Sequence, residues 1–462
     1  MSFKLSTKLF YLIFILISTF IYVKSIEIPM KSKTITINRN STNINYNNNN
    51  NIRSLIERNM EITNFKYFLM ETEIFIGTPA QCFKVLYDTV SIYLILGVEN
   101  SNLKFKNGFN SLLSESFSAL CDKKLLAIPF KSSVIWARES KDKASISQDF
   151  KYPYLFSFLL TFNSTESYDF DGILGLGNYY PKRDEDNSFD ERFSFVHYLK
   201  LNGVISKLIF GHEYKDRTHG SIYFGEEPRS MRSGYFKCKV QNFLSYVNKW
   251  HCQLLSMYFS NGENYTTLSS TVAFDTGYTF IKGPYYQASI IIDKIKEIGG
   301  DTCDQITQPI DDNNELIGIV CDKDLKISEF TDISFDIVGF KMTLLKRDLF
   351  RKIIINKKVK YEAIIIGDST YQFWNFGEPI LKNYDMVFNY EDNTVGFKVN
   401  NNFLGGNWTS VIILTIIFIC FVFIAFYIIK NKKTIFKKHF KEEDIAKLNG
   451  NELKEGLQMH HL

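Results

Sequence analysis

The chain is 462 residues long, 45% hydrophobic and 16% aromatic, with 42 Phe and 26 Tyr. That exceeds one compact domain and supplies enough apolar material for two packed lobes. The net charge of +4 is not that of a nucleic-acid binder, because the positive excess sits at the two termini and in residues 26–63, leaving the body between them net acidic.

At the N-terminus, Lys4 and Lys8 precede an apolar run from Leu9 to Val23, and Val23-Lys24-Ser25 offers small residues for cleavage, so residues 1–25 read as a signal peptide. An uncleaved anchor helix is the plainer alternative. Residues 26–63 are polar and Asn-rich, most densely from Asn47 to Asn51, and read as a pro-segment or linker without a core of its own. Lys31, Lys33, Arg53 and Arg58 would suit a pro-segment lying over an acidic cleft, and equally a solvated linker.

From about Tyr67 the texture changes to short β-rich runs. Phe68-Leu69-Met70, Ile74-Phe75-Ile76 and Lys84-Val85-Leu86-Tyr87 come first, with Ser221-Ile222-Tyr223-Phe224 and Ile333-Ser334-Phe335-Asp336-Ile337 later, all punctuated by Gly, Asn and Asp. Helical spacing is confined to Phe193–Leu201 and Tyr286–Ile298, so the body is expected to be mostly β. Trp250, His251 and Cys252 read as core positions of a strand, and the seven histidines show no metal-ligand spacing.

The residues from Val411 to Ile429 carry no charge and are long enough to span a bilayer as a helix; Lys430, Lys432, Lys433, Lys437 and Lys438 follow at once. The expected protein crosses the membrane once, with a luminal or extracellular body and a cytoplasmic C-terminus. The plasma membrane, the endolysosome and the ER all fit. The expected segments are then 64–228 for an N-terminal lobe, 229–400 for a C-terminal lobe, 401–410 for a stalk, 411–429 for the transmembrane helix and 430–462 for a cytoplasmic tail.

Cys420 lies in the span. The other six cysteines are an even set, as an oxidising compartment favours, and allow 15 pairings. Neighbours in sequence are the expected partners: Cys303–Cys321, Cys238–Cys252, and Cys82–Cys121 by elimination. Sequons for glycosylation begin at Asn40, Asn163, Asn264 and Asn407.

The chain also echoes itself. Val85-Leu86-Tyr87-Asp88-Thr89-Val90-Ser91 has a near-copy in Val272-Ala273-Phe274-Asp275-Thr276-Gly277-Tyr278, and Asp171-Gly172-Ile173-Leu174-Gly175-Leu176-Gly177 has a counterpart in Asn375-Phe376-Gly377-Glu378-Pro379-Ile380-Leu381. A carboxylate ends an apolar strand once in each half. Brought face to face, two such groups share a proton and activate a water; the bland alternative is two unrelated turn aspartates.

At these residues the sequence resembles the pepsin-like aspartic peptidases, from about Tyr67 to Val399. Ile76-Gly77-Thr78-Pro79-Ala80-Gln81, Phe170 to Gly177, Asn202-Gly203-Val204-Ile205-Ser206, Gly220 to Gly225, Val387-Phe388-Asn389-Tyr390 and Asn393-Thr394-Val395-Gly396-Phe397 follow in the family's order. Cys303 and Cys321 stand where the family has its second-lobe disulfide. The resemblance implies a bilobal β fold with the active-site cleft between two similar lobes, and an endopeptidase acting on protein or peptide substrates as a monomer. It implies Asp88 and Asp275 as the catalytic pair, Thr89 and Thr276 bonded across the lobes, Ser91 and Gly277 supporting the two acids, and neither metal nor cofactor. One carboxylate takes a proton from water, which attacks the peptide carbonyl, while the protonated partner stabilises the developing charge.

Three positions depart from the family. Val90 stands where it has Gly; Tyr278 stands where it has Ser or Thr, removing the hydroxyl that would bond Asp275; and the flap stretch Ile128-Pro129-Phe130-Lys131-Ser132-Ser133 lacks Tyr and Gly, with Phe130 in the Tyr's place. A second reading is therefore a catalytically impaired relative that binds peptides or a partner at the membrane.

Overall fold

The strand Gln81–Asp88 shows how the sequence builds the sheet. Cys82 and Lys84 are exposed while Phe83 and Val85 are buried, the period-two pattern of a half-covered strand. Val85, Leu86 and Tyr87 are then all buried, as the strand passes into the interior. The protein is seen here as a computed structural model, which describes residues 27–36, 62–64, 66–99, 105–119, 125–130, 133–146, 154–164, 168–178, 193–215, 219–241, 249–260, 264–310 and 313–400. The expected signal peptide, stalk, membrane helix and tail, together with Asn40, Asn407, Cys121 and Cys420, lie outside the described residues. No helix among the described residues is long and apolar enough to cross a membrane.

Two sheets carry the fold, of 16 and 12 strands among the described residues. The first contains β1 (Glu27–Thr36), β2 (Lys66–Ile76), β3 (Gln81–Asp88), β4 (Leu94–Val98), the hairpin of β5 (Leu126–Phe130) and β6 (Ser133–Asp142), then β7 (Gly172–Gly175), β8 (Ile209–Tyr214) and β9 (His219–Phe224). The key sub-structure is three-stranded: β7 runs parallel to β3, with Gly175 opposite Asp88, and antiparallel to β4. Beneath it Leu69, Leu86, Ile95, Ile135, Leu159 and Ile173 form one apolar cluster with Phe105 and Phe170.

The second sheet repeats the arrangement. Its strands β10 (Asn264–Phe274), β11 (Ile281–Pro284) and β12 (Trp374–Phe376) pair with β12 parallel to β10, Phe274 opposite Phe376, and antiparallel to β11. The duplicated motif read in the sequence is thus a duplicated strand pairing. The helical stretches also appear, as α1 (Phe195–Leu201), capped by the Ser194 side chain, and α2 (Tyr285–Gly299), which buries Ala288, Ile291, Ile292 and Ile295 at helical spacing. Disulfides join Cys238 to Cys252 and Cys303 to Cys321. Cys82 is exposed and forms no disulfide among the described residues, while its expected partner Cys121 lies outside them.

The sheets do not part where the sequence halves do. After β12 the chain returns to the first sheet: β13 (Tyr384–Asn389) pairs with β8, and β14 (Thr394–Val399) pairs with β13 and with Phe236–Lys239. Conversely, Ile62–Asn64 pairs with Ile354 and Ile355 in the second sheet. The segment 26–63, read as lacking any core, also contributes a strand. β1 pairs antiparallel with both β2 and β9, so it is an interior strand of the first sheet. Its sequence alternates Ile28 and Met30 with Glu27, Lys31 and Lys33 before the β-branched Thr34-Ile35-Thr36, a strand pattern hidden by the polar composition around it.

Candidate active site

Each aspartate caps the turn it begins. Asp88 ends β3, and its Oδ1 accepts from the N–H groups of Val90 (2.8 Å) and Ser91 (3.2 Å). Asp275 follows β10, and its Oδ1 accepts from the Gly277 N–H at 3.1 Å. Aspartate closes a turn on its own backbone two residues ahead, so strand, acid and turn are set by the same few residues in both lobes. The turns are also anchored from behind: the Leu176 N–H donates to the Asp88 carbonyl, and the Asp275 N–H to the Phe376 carbonyl, each at 2.8 Å.

The two threonines lock the turns together across the lobes. The Thr89 N–H donates to Thr276 Oγ1 (3.2 Å) and the Thr276 N–H to Thr89 Oγ1 (3.1 Å). In return Thr89 Oγ1 donates to the Phe274 carbonyl (2.7 Å) and Thr276 Oγ1 to the Tyr87 carbonyl (2.9 Å). Both side chains are fully buried, so each of these groups depends on its partner in the other lobe. Gly277 brings the acids into one site. A Cβ there would stand 2.9 Å from Asp88 Cγ, so the residue whose N–H holds Asp275 lies against the carboxyl of Asp88.

The remaining donors differ between the lobes. Ser91 Oγ donates to Asp88 Oδ2 at 2.6 Å. The equivalent residue in the second lobe is Tyr278, and the equivalence is visible in the packing: Gly175 abuts the backbone of Ser91 and Tyr93, while Gly377 abuts that of Tyr278 and Phe280. The Tyr278 hydroxyl is buried with no hydrogen-bond partner among the described residues, and burial pushes its pKa well up. Asp275 Oδ2 instead accepts from Asn375 Nδ2, on β12, at 2.9 Å. Val90 needs no left-handed backbone, and its N–H still reaches Asp88, so the branched side chain is accommodated without disturbing the turn.

A second layer supports the site. Tyr87, one residue before Asp88, is held by His212 Nδ1 at 3.0 Å, and burial lowers the His212 pKa to about 3. Trp250, read as a strand core position, is buried but lies one residue ahead of the strand His251–Phe259, and it donates from Nε1 to the Leu176 carbonyl at 3.0 Å. Behind Tyr278 lies a buried ion pair, Lys282 to Asp368 at 2.6 Å, with the Lys282 ammonium 3.7 Å from the Tyr371 ring centre. Burial lowers the Lys282 pKa to about 8 against the pull of Asp368. Lys249 sits over the Phe373 ring at 4.7 Å; burial lowers its pKa while the charges of Asp275 and Asp88 raise it.

Asp88, Thr89, Ser91, Asp275, Thr276 and Gly277 therefore converge on one site. Phe130 ends β5 directly opposite Ser133 at the hairpin tip, while its side chain and residues 131–132 fall outside the described residues. Of the sequons, Asn163 is exposed on the strand Phe156–Ser164 and Asn264 begins β10. Sequence reasoning missed Asn375, His212, Lys249 and the Lys282–Asp368 pair. A signal was present for Asn375: it is an amide in the middle of an otherwise apolar strand, at the point of the second echo where the first has Ile173.

The model of the eukaryotic aspartyl protease family matches residues 67–399. The chain belongs to that family. Among curated proteins it is similar to renin of Echis ocellatus, 24% identical over 348 residues that cover 73% of this chain and 82% of the relative. It is similar also to renin-2 of Mus musculus, 24% identical over 357 residues (73% and 81%), and to renin of Canis lupus familiaris, 22% identical over 358 residues (73% and 81%).

Proposed function

We propose that the protein is an aspartic endopeptidase held in a membrane of the secretory pathway or cell surface by residues 411–429, with its body luminal or extracellular. The observation that carries this reading is the pair Asp88 and Asp275, both fully provided with donors and joined under the reciprocal threonine bonds. In the mechanism, an extended peptide segment lies across the acids with its scissile carbonyl above them. The ionised member of the pair accepts a proton from the water between them, and the protonated member donates a hydrogen bond to the carbonyl oxygen as the tetrahedral intermediate forms. The donors to Asp88 and Asp275 hold both carboxyls in fixed orientations for that exchange, so little reorganisation is needed as the charge moves.

The test offers the detergent-solubilised full chain a peptide library between pH 4 and 7, with and without a statine-type inhibitor. Inhibitor-sensitive internal cleavage is the expected result. Saturable inhibitor binding with no cleavage at any pH would sink the enzymatic reading in favour of a peptide-binding relative. For the anchor, deleting 411–429 is expected to move the protein from the carbonate-resistant membrane fraction to the soluble one.

A further inference from the structure

We propose that Asn375 is a positioning residue for Asp275, supplying from a neighbouring strand the hydrogen bond that the Ser91 hydroxyl supplies to Asp88. The inference rests on the peptidase reading above and adds to it a residue outside the two turn motifs. Its first support is direct geometry. Asn375 Nδ2 lies 2.9 Å from Asp275 Oδ2, on the oxygen that the Gly277 N–H does not reach.

The second support is register. Two residues before each acid, the partner on the parallel strand is Ile173 opposite Leu86 in the first lobe and Asn375 opposite Ala273 in the second. Ile173 belongs to the apolar cluster under Asp88, so the fold itself calls for an apolar side chain at this place. Asn375 is only 4% exposed, and its Oδ1 is buried with no hydrogen-bond partner among the described residues. An amide that leaves its own carbonyl unmatched is a poor packing residue, and its NH2 group is spent on Asp275.

The third support is the vacancy in donors that it fills. Tyr278 occupies the place of Ser91, and its hydroxyl does not bond Asp275. The orientation of the amide also has a chemical consequence. An NH2 group only donates, whereas a serine hydroxyl can rotate to accept. Asn375 therefore favours the ionised form of Asp275, to which its amide can only donate.

The test compares the parent with Asn375→Ile, which copies the first lobe's residue, with Asn375→Ala, and with the double variant Asn375→Ile/Tyr278→Thr, which also returns a short hydroxyl to the second turn. The full-length protein is assayed on an inhibitor-sensitive peptide for kcat, KM and pH profile. In parallel the titration of Asp275 is followed by carboxyl-carbon NMR in aspartate-labelled protein, which needs no turnover. Both single variants are expected to lose roughly ten- to a hundredfold in kcat with KM within about threefold, because the lost bond acts on the acid and not on substrate binding. Asp275 should titrate at higher pH in both, since a donor to its charged form is gone. The double variant should recover most of the lost kcat and return the titration toward the parent. If Asp275 titrates as in the parent in both single variants, or if kcat falls only in step with thermal stability and Tyr278→Thr restores nothing, the proposal is overturned. Failure of the peptidase reading itself shows separately, as a parent chain that cleaves nothing while Asp275 still responds to Asn375.

Discussion

The turn at Asp88 and the turn at Asp275 do the same work with different parts. In the first, the three donors to the carboxylate among the described residues come from the turn itself: the N–H groups of Val90 and Ser91 and the Ser91 hydroxyl. In the second, one donor comes from the turn and one from a strand 100 residues away. A local motif and a non-local contact thus reach a similar end, and the threonine bonds between them are the part that is symmetric. What a catalytic acid needs is a donor at a given point in space, and a parallel strand pairing can deliver it as well as the next residue in the chain.

The comparison breaks most visibly at the acids themselves. Asp88→Asn and Asp275→Asn should each lower inhibitor-sensitive cleavage by at least about a thousandfold, because either change removes one partner of the proton exchange. Equal losses would confirm that neither half is a bystander, and residual activity near the parent's in either variant would break the pairing. The threonine bonds come next. Thr89→Val and Thr276→Val each strand buried backbone groups in the opposite lobe, costing about 1–3 kcal/mol per group. A fall in Tm of about 3–10 °C, similar for the two variants, is expected in thermal unfolding.

A smaller effect concerns pH. Burial holds His212 and His251 neutral, with pKa values lowered to about 3, so both take up protons on unfolding below their unfolded value of 6.5. Asp385 works the other way: burial pushes it up to about 6, so the folded chain holds a proton there that the unfolded chain releases above 3.8. Between pH 4 and 6 these three groups leave the unfolded state with about one more bound proton. Stability should therefore rise by about 1.4 kcal/mol per pH unit over that window, and His212→Gln should bring the slope near zero. Denaturant titrations at pH 4, 5 and 6 measure it. The smallest effect is expected at Val90→Gly. Val90 already donates to Asp88 without left-handed backbone, so kcat should stay within about threefold of the parent; a larger gain would mean that the valine side chain crowds the site.

Much of this was legible in the sequence, and the reason differs by level. The acids, the threonines and Ser91 were readable because they sit together in turns a few residues long, and because the motif occurs twice. The strand character of the body followed from period-two burial of the kind seen in Gln81–Asp88. Asn375 was not readable as a donor to Asp275, because the contact depends on the register of β12 against β10, and register is a property of the whole sheet. The same holds for His212 against Tyr87, 125 residues apart in the chain. β1 was missed for a different reason: its alternation is short and lies beside a low-complexity Asn tract that dominates any compositional reading.

The reciprocal threonine bonds fix more than distance. They join the two turns at a buried point directly beneath the acids. A lever moves least at its fulcrum. Any rocking of one lobe against the other about that point displaces the far walls of the cleft by many times what it displaces Asp88 and Asp275. Such a rocking would part or approach the two lobes while the spacing of the two carboxyls stays nearly constant.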